Sequence, residues 1–361
     1  MGPQPIFVLP ILGCLSACDR TTPPTTTITV ETVVTLGGET DPSDRAALPA
    51  AVRALESGGY VVSVEPSSSG REGLPRVYGA DGRFQLSVGR LGEGPGEYRT
   101  PIVWSTLPGD SLVVTDEMRS AATIVDAQGN LVRRLAVPAG IRQLIVSSDH
   151  VLIGNAPYNH QGNESAPLMR LDSAGNLVAS FGGDSAGCGR LCGVLGTRRL
   201  VADADGGVWA AHQAKAYVLE HYDRAGRRTK QFRLSPEWFA PMDSFPPRRG
   251  DQTPMSMVHG LSLDADGRLW IMGSTADSAW EEGLGDPRPG ERGSYRPVID
   301  LARYRDGVLE VRDTATGALL ASRRFPDSPV LLPAGPGLIA QATTDEDGWF
   351  SIAIRRVSIG N

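Results

Sequence analysis

Residues 76–101 read RVYGADGRFQLSVGRLGEGPGEYRTP. Val77, Phe84, Leu86 and Val88 alternate on either side of Asp81-Gly82, a dipeptide that accepts the positive φ of a two-residue hairpin turn. The first half therefore predicts a β-hairpin. In the second half Gly89, Gly92, Gly94 and Gly96 allow sharp turns, Pro95 and Pro101 limit them, and Glu93, Glu97 and Arg99 bring charge to one small loop. A dinucleotide-binding loop needs G-x-G-x-x-G opening a helix. Here Glu97 stands where the third glycine would be and Pro101 follows, which excludes that reading.

Weaker copies of the hairpin turn recur down the chain. One series runs SGGYVV at Gly59, PGDSLVV at Gly109, SSDHVLI at Asp149, ADADGGVW at Gly206, LDADGRLW at Gly267 and TDEDGWF at Gly348. A second interleaves with it: GADGRF at Gly82, DAQGNL at Gly129, DSAGNL at Gly175, DRAGRR at Gly226 and DTATGAL at Gly317. The spacing leaves room for two more strands between turns, so each unit holds about four strands in about forty to sixty residues, the pattern of a propeller blade. The first series predicts an all-β, six-bladed β-propeller with four-stranded blades. Residues 273–300 lengthen the fifth unit and read as a loop insertion. The last unit supplies only three strands, GLIAQATTD, GWFSIAI and RRVSIG. Residues 28–38, ITVETVVTLGG, alternate well and belong to no following unit, so they are expected to pair with RRVSIG and close the ring without a long exposed edge. AVRAL is assigned to the inner strand of blade one, since Pro49 would interrupt a helix over residues 43–56.

The chain has 361 residues, with 43 glycines and 27 prolines suited to many turns. Its net charge of −6, with no clustered basic stripe, argues against nucleic acid as a partner. Residues 6–17, IFVLPILGCLSA, form an apolar run too short to span a bilayer and placed where a secretory h-region lies. Leu15-Ser16-Ala17-Cys18 then resembles a bacterial lipobox. The expected organisation is a signal peptide over 1–17, lipid on Cys18, a Pro/Thr-rich tether over 18–27 and the propeller over 28–361. MGPQP lacks the basic residues of most such signals, Cys14 is a second acceptor, and a plain secretion signal is the alternative. Either reading puts the domain outside the cytoplasm, and the first anchors it to the membrane of the cell envelope.

The blades resemble NHL-type repeats, and VGRLGEGPGEYRTP, above all GEGPGEY at residues 92–98, resembles a loop of uncharacterised bacterial six-bladed β-propeller lipoproteins. The resemblance covers the mature chain and implies a propeller outside the cytoplasm. It assigns no catalytic residues. SSDH in place of DADG and the blade-five insertion depart from the pattern.

Asp203/Asp205, Asp264/Asp266 and Asp345/Asp347 invite a calcium reading, but none has the further oxygen ligands and distal Glu of an EF-type loop, so turn capping is expected. Cys188 and Cys192 are expected to form a local disulfide in an exported protein, with free thiols as the alternative. No metal and no cofactor is expected. His259, ahead of the inner strand of blade five, with Arg99 and Arg198 before blades two and four, are candidates for a channel mouth, weighed against solvated residues. Trp104, Trp209, Trp270 and Trp349 are assigned to packing between blades. Two functions follow. The first is a monomeric, envelope-anchored binding or scaffold module for a protein, peptide or glycan; the second is a lyase- or lactonase-like enzyme, which needs convergent histidines and carboxylates in the channel.

Overall fold

The structure is a computed structural model that describes residues 26–37, 48–64, 73–94, 96–116, 119, 121–138, 141–147, 151–155, 167–183, 197–241, 253–289, 296–326, 328–344 and 350–360. Cys18, Cys188 and Cys192 lie outside these residues.

After β1 (Thr27–Leu36), the chain builds its sheets in order. Blade 1 is β2 (Pro49–Ala54), β3 (Tyr60–Val64), β4 (Arg76–Tyr78) and β5 (Phe84–Ser87). β6 (Arg90–Leu91) and β7 (Glu97–Tyr98) form a small parallel pair that leads into blade 2. Blade 2 is β8 (Pro101–Leu107), β9 (Ser111–Asp116), β10 (Ala121–Val125) and β11 (Leu131–Ala136). Blade 3 is β12 (Gln143–Val146), β13 (Leu152–Asn155), β14 (Leu168–Leu171) and β15 (Leu177–Phe181). Blade 4 is β16 (Arg198–Ala202), β17 (Val208–His212), β18 (Val218–Tyr222) and β19 (Arg228–Arg233). Blade 5 is β20 (Met257–Leu263), β21 (Leu269–Ala276), β22 (Arg305–Arg312) and β23 (Leu319–Phe325). Blade 6 joins β24 (Val330–Gly335), β25 (Leu338–Thr344) and β26 (Phe350–Gly360) to β1. Each of the six sheets has four antiparallel strands, and the first strand of every blade contacts the first strands of its neighbours around a ring. This is the expected six-bladed propeller.

β1 and β26 pair from Thr27↔Gly360 to Leu36↔Ile352, so the two ends of the described chain share one sheet. The core is divided among the gaps between blades. Val61 and Val77 of blade 1 meet Val103 and Val114 of blade 2, and Ile153 and Phe181 of blade 3 meet Leu200 and Val208 of blade 4. At the seam Leu36 of β1 joins Val52 and Tyr60 of blade 1 and Ile352 and Ile354 of blade 6.

Glycines of the second turn series have a packing role that spacing alone does not reveal. Gly82, Gly129, Gly175, Gly226 and Gly317 have φ of 76–90°, and each turn rests on the outer strand of the preceding blade or the residue after it. A Cβ at Gly82 would collide with Thr35 O in β1, and one at Gly226 would come within 3.0 Å of the Phe181 ring in β15. The Asp three residues earlier in the D-x-x-G turns caps its own backbone. Asp126 Oδ1 accepts from the Gln128 and Asn130 amides, and Asp203 and Asp264 do the same in the first series, the turn role expected of those acidic pairs. Asp345 and Asp347 lie outside the described residues.

Blade 6 differs from expectation in its strands and in one turn: the two strands read in GWFSIAI and RRVSIG are the single strand β26, and β24 is the strand that was not read. The stretch around Gly348 connects β25 to β26, and the turn joining the first two strands of blade 6 is Pro336-Gly337, with Gly337 at φ 66°. PAGPG carries no Asp to mark it, and Pro333 disguises β24 as a loop. An inner strand tolerates that proline because one of its edges faces the channel and needs no donor.

Candidate functional site

The inner strands surround a channel with two chambers. The larger, about 410 Å³, opens where the inner strands begin, and all six blades line it. Alternate residues of the strands face it: Thr100, Ile102 and Trp104 of blade 2, Thr197 and Arg199 of blade 4, Met257 and His259 of blade 5, Val330 and Leu332 of blade 6. This is the period of two of a β-strand applied to a ring. Arg142, exposed just before β12, adds a rim cation. The connection between β21 and β22 brings in Leu301, from the short helix α1 (Leu301–Tyr304), and Arg305. β21 runs to Ala276, so it takes in the first residues of the stretch read as an insertion. The smaller chamber, about 260 Å³, lies toward the other end and shares Trp104 with the first; Arg53 lines it.

His259 Nε2 and the Ser274 hydroxyl are 2.8 Å apart, and the Arg305 guanidinium donates to the same hydroxyl at 3.3 Å and to Met255 O at 2.5 Å. Enclosure by protein, reinforced by the charges of Arg199 and Arg305, pushes the His259 pKa down to about 3, so its imidazole is neutral at ordinary pH. Arg199 lies over the Trp104 ring at 5.6 Å. Arg53 donates to the carbonyls of Trp104, Val52 and Pro333 at 2.6, 2.6 and 2.9 Å, tying blades 2, 1 and 6 together, and burial with the Arg199 charge lowers its pKa to about 10. Trp104 Nε1 is a buried donor without a hydrogen-bond partner. Trp209 and Trp270 pack between blades, whereas Trp104 belongs to the channel; Trp349 lies outside the described residues.

Of the three candidate mouth residues, His259 lines the cavity. Arg198, 1% exposed, donates to the carbonyls of Gly182 and Gly183 and pairs with Glu220 at 3.2 Å, on the face of β16 opposite to Arg199. Arg99 points to Glu93, and its amide donates to Asp116 at 2.8 Å. Arg142, Arg199, Arg305 and Trp104 are the charged and aromatic lining residues that the sequence reading did not propose. Leu200 offered a signal for one of them. As a core residue between blades 3 and 4 it shares the parity of Arg198, which leaves Arg199 for the channel. Nothing local marks Arg305 or Arg142.

Among the described residues no group of three His, Cys, Asp or Glu side chains is placed to hold a metal ion, and no helix is long and apolar enough to cross a membrane.

No family model matches the sequence, and no curated protein matches it. Among solved structures, a member of the DUF4221 family from Bacteroides vulgatus is similar at a TM-score of 0.61 and 8% identity, covering 93% of this chain and 99% of that one. A Bacteroides fragilis protein assigned as exported is similar at 0.57 and 10% identity, over 92% and 96% of the two chains. A luciferin-regenerating enzyme is similar at 0.50 and 11%, over 92% and 95%. At these identities the likeness is one of fold.

Proposed function

We propose that this protein is an envelope-anchored binding propeller, of the NHL-like lipoprotein kind that the GEGPGEY loop resembles, which holds its ligand in the wider mouth of the channel. The observation that carries the reading is the lining of that mouth: Trp104, three arginines and one neutral histidine set in an apolar wall, with no carboxylate among the described residues. Such a cavity, mostly apolar with a few convergent polar groups, has the size and make-up of a small-molecule site. The sequence supports the address, through the apolar run at 6–17 and the lipobox ending at Cys18. A lyase- or lactonase-like enzyme would need a general base and an acid converging on the substrate. His259 alone among the described lining residues could titrate near neutrality, and its environment keeps it neutral.

The full chain, expressed in a bacterium and recovered from its envelope, tests the reading. It should partition with detergent, and native mass spectrometry should detect a non-covalent small molecule on it. Cys18→Ala should release the protein into the soluble fraction, and Ala50→Trp, which plugs the mouth, should lose the small molecule. Recovery of that molecule chemically altered after incubation would favour the enzyme, and absence of any bound species from the wild-type chain would remove the binding reading.

A further inference from the structure

We infer that the ligand of the channel mouth is a small organic anion, a carboxylate or phosphate group on an apolar body, received by Arg142, Arg199 and Arg305 beside Trp104. The inference rests on the binding reading above and adds the chemical class.

Charge is the first argument. The chain has 41 acidic and 35 basic residues, yet among the described residues neither chamber is lined by one Asp or Glu, while four arginines line the two. Two buried arginines elsewhere in the molecule meet carboxylates. Arg198 pairs with Glu220 at 3.2 Å and Arg312 with Glu310 at 2.9 Å. Along the channel, Arg53 and Arg305 donate to backbone carbonyls and a hydroxyl, acceptors that orient a guanidinium without neutralising it. The resulting positive field registers on the groups inside it: after burial, Arg199 and Arg305 are what lower the pKa of His259, and Arg199 that of Arg53. An anion at the mouth would pair with Arg142 and Arg305, in surroundings of low dielectric where each contact is strong.

Shape is the second. A cavity of about 410 Å³ is of the size that takes a small molecule. Ile102, Met257 and Leu332 give it an apolar wall. Trp104, 6% exposed, adds an indole N–H with no partner of its own, a donor awaiting an acceptor. A cationic ligand meets repulsion here, and a neutral glycan leaves the Arg305 guanidinium with a carbonyl and a hydroxyl alone.

Isothermal titration of the full mature chain at low salt tests this with benzoate, 4-phenylbutyrate and phenyl phosphate against the neutral benzamide and 4-phenylbutanamide. At least one anion should bind more tightly than about 1 mM, with its neutral counterpart roughly tenfold weaker or worse. Arg142→Gln, at an exposed position that leaves folding intact, should weaken that anion roughly tenfold; Arg305→Gln should do likewise, and Ala50→Trp should abolish binding. Amides that bind as tightly as the anions, and are lost in Ala50→Trp, would overturn the anionic class while leaving a binding channel. Anions that bind equally to Arg142→Gln and Ala50→Trp sit elsewhere, and that result overturns it too. So does a panel with no member binding at about 5 mM.

Discussion

His259 shows what one side chain inherits from the channel around it. Ser274 holds its Nε2, Arg199 and Arg305 repel its protonated form, and enclosure by the blades penalises charge, so its pKa falls from 6.5 to about 3. The unfolded chain takes up a proton at this residue below pH 6.5 and the folded chain does not, so stability is lost as pH falls from about 6.5 toward 3, at no more than about 1.4 kcal/mol per pH unit. Asp306 acts in the opposite sense. Burial, with Asp277 nearby, raises its pKa to about 6 in spite of Arg324 at 2.5 Å, so its contribution is present at low pH and is lost as pH rises from 3.8 through 6. The two are separable by substitution. The melting temperature of His259→Gln relative to wild type should climb steadily between pH 6.5 and 4, and that of Asp306→Asn relative to wild type should climb between pH 4 and 6.5. A His259→Gln difference that stays flat with pH would mean that the imidazole is solvated and the channel mouth is wet and weakly charged.

At the scale of the element, GEGPGEY is a structural joint. β6 and β7 pair in parallel across it, Glu97 accepts from the Gly94 amide at 2.7 Å, and Tyr98 sinks between blades 1 and 2 with its hydroxyl 2.8 Å from Thr123 Oγ1. Arg119 clamps the outside, donating to Gly92 O at 2.6 Å and Glu97 O at 3.1 Å and pairing with Glu93 at 3.1 Å. Arg119→Ala should therefore cost about 2–4 kcal/mol. The loop's glycines are not equivalent. Gly96 sits at φ 73° in open space, so Gly96→Ala is expected to lose about 1–2 kcal/mol from backbone strain alone. Gly94 has no positive φ, and a Cβ there meets only the movable Glu97 carboxylate, so Gly94→Ala and Glu97→Gln should change little. Urea denaturation of the variants checks the order; a Gly94→Ala loss equal to that of Gly96→Ala would contradict the assigned geometry. The need for glycine here was legible in the sequence, because three glycines, Gly92, Gly94 and Gly96, in one short loop are conformationally expensive and imply a use. The clamp was not, since Arg119 lies beyond β9, between the second and third strands of blade 2, and carries no mark of its own. The site divides in the same way. His259 could be placed from its strand, whereas Arg199 required knowing which face of β16 packs between blades, and Arg305 depends on where a long connection returns.

On the scale of the whole molecule, the ring is held shut by a strand from the far end of the chain. The turn series announced six blades because each hairpin repeats the same backbone chemistry, and ITVETVVTLGG stood out as an alternating segment without a unit. Pro336-Gly337 was hidden because it solves the same turn with different residues. The closure has a calculable weight. Ile28 and Leu36 are 5% and 1% exposed, and burying two such side chains stabilises the fold by roughly 3–6 kcal/mol before any sheet hydrogen bond is counted. β1 also carries Val34 and Thr35, on which the Gly82 turn of blade 1 rests, so its removal loosens two blades and bares the 11-residue edge of β26. Deleting residues 27–36 should lower the melting temperature by several degrees or more and make the protein associate through that edge. A synthetic peptide of residues 27–36, added in trans, should occupy the vacated edge and raise the melting temperature in a concentration-dependent way, as a ligand that binds only the folded state does. Leu36→Ala in the peptide should weaken the rescue, because Leu36 is the residue that reaches the seam between Val52 and Ile352. If the truncated chain melts like the intact one, or if the peptide fails to shift it, the ring is closed by blade 6's own three strands and β1 is only an addition to its rim.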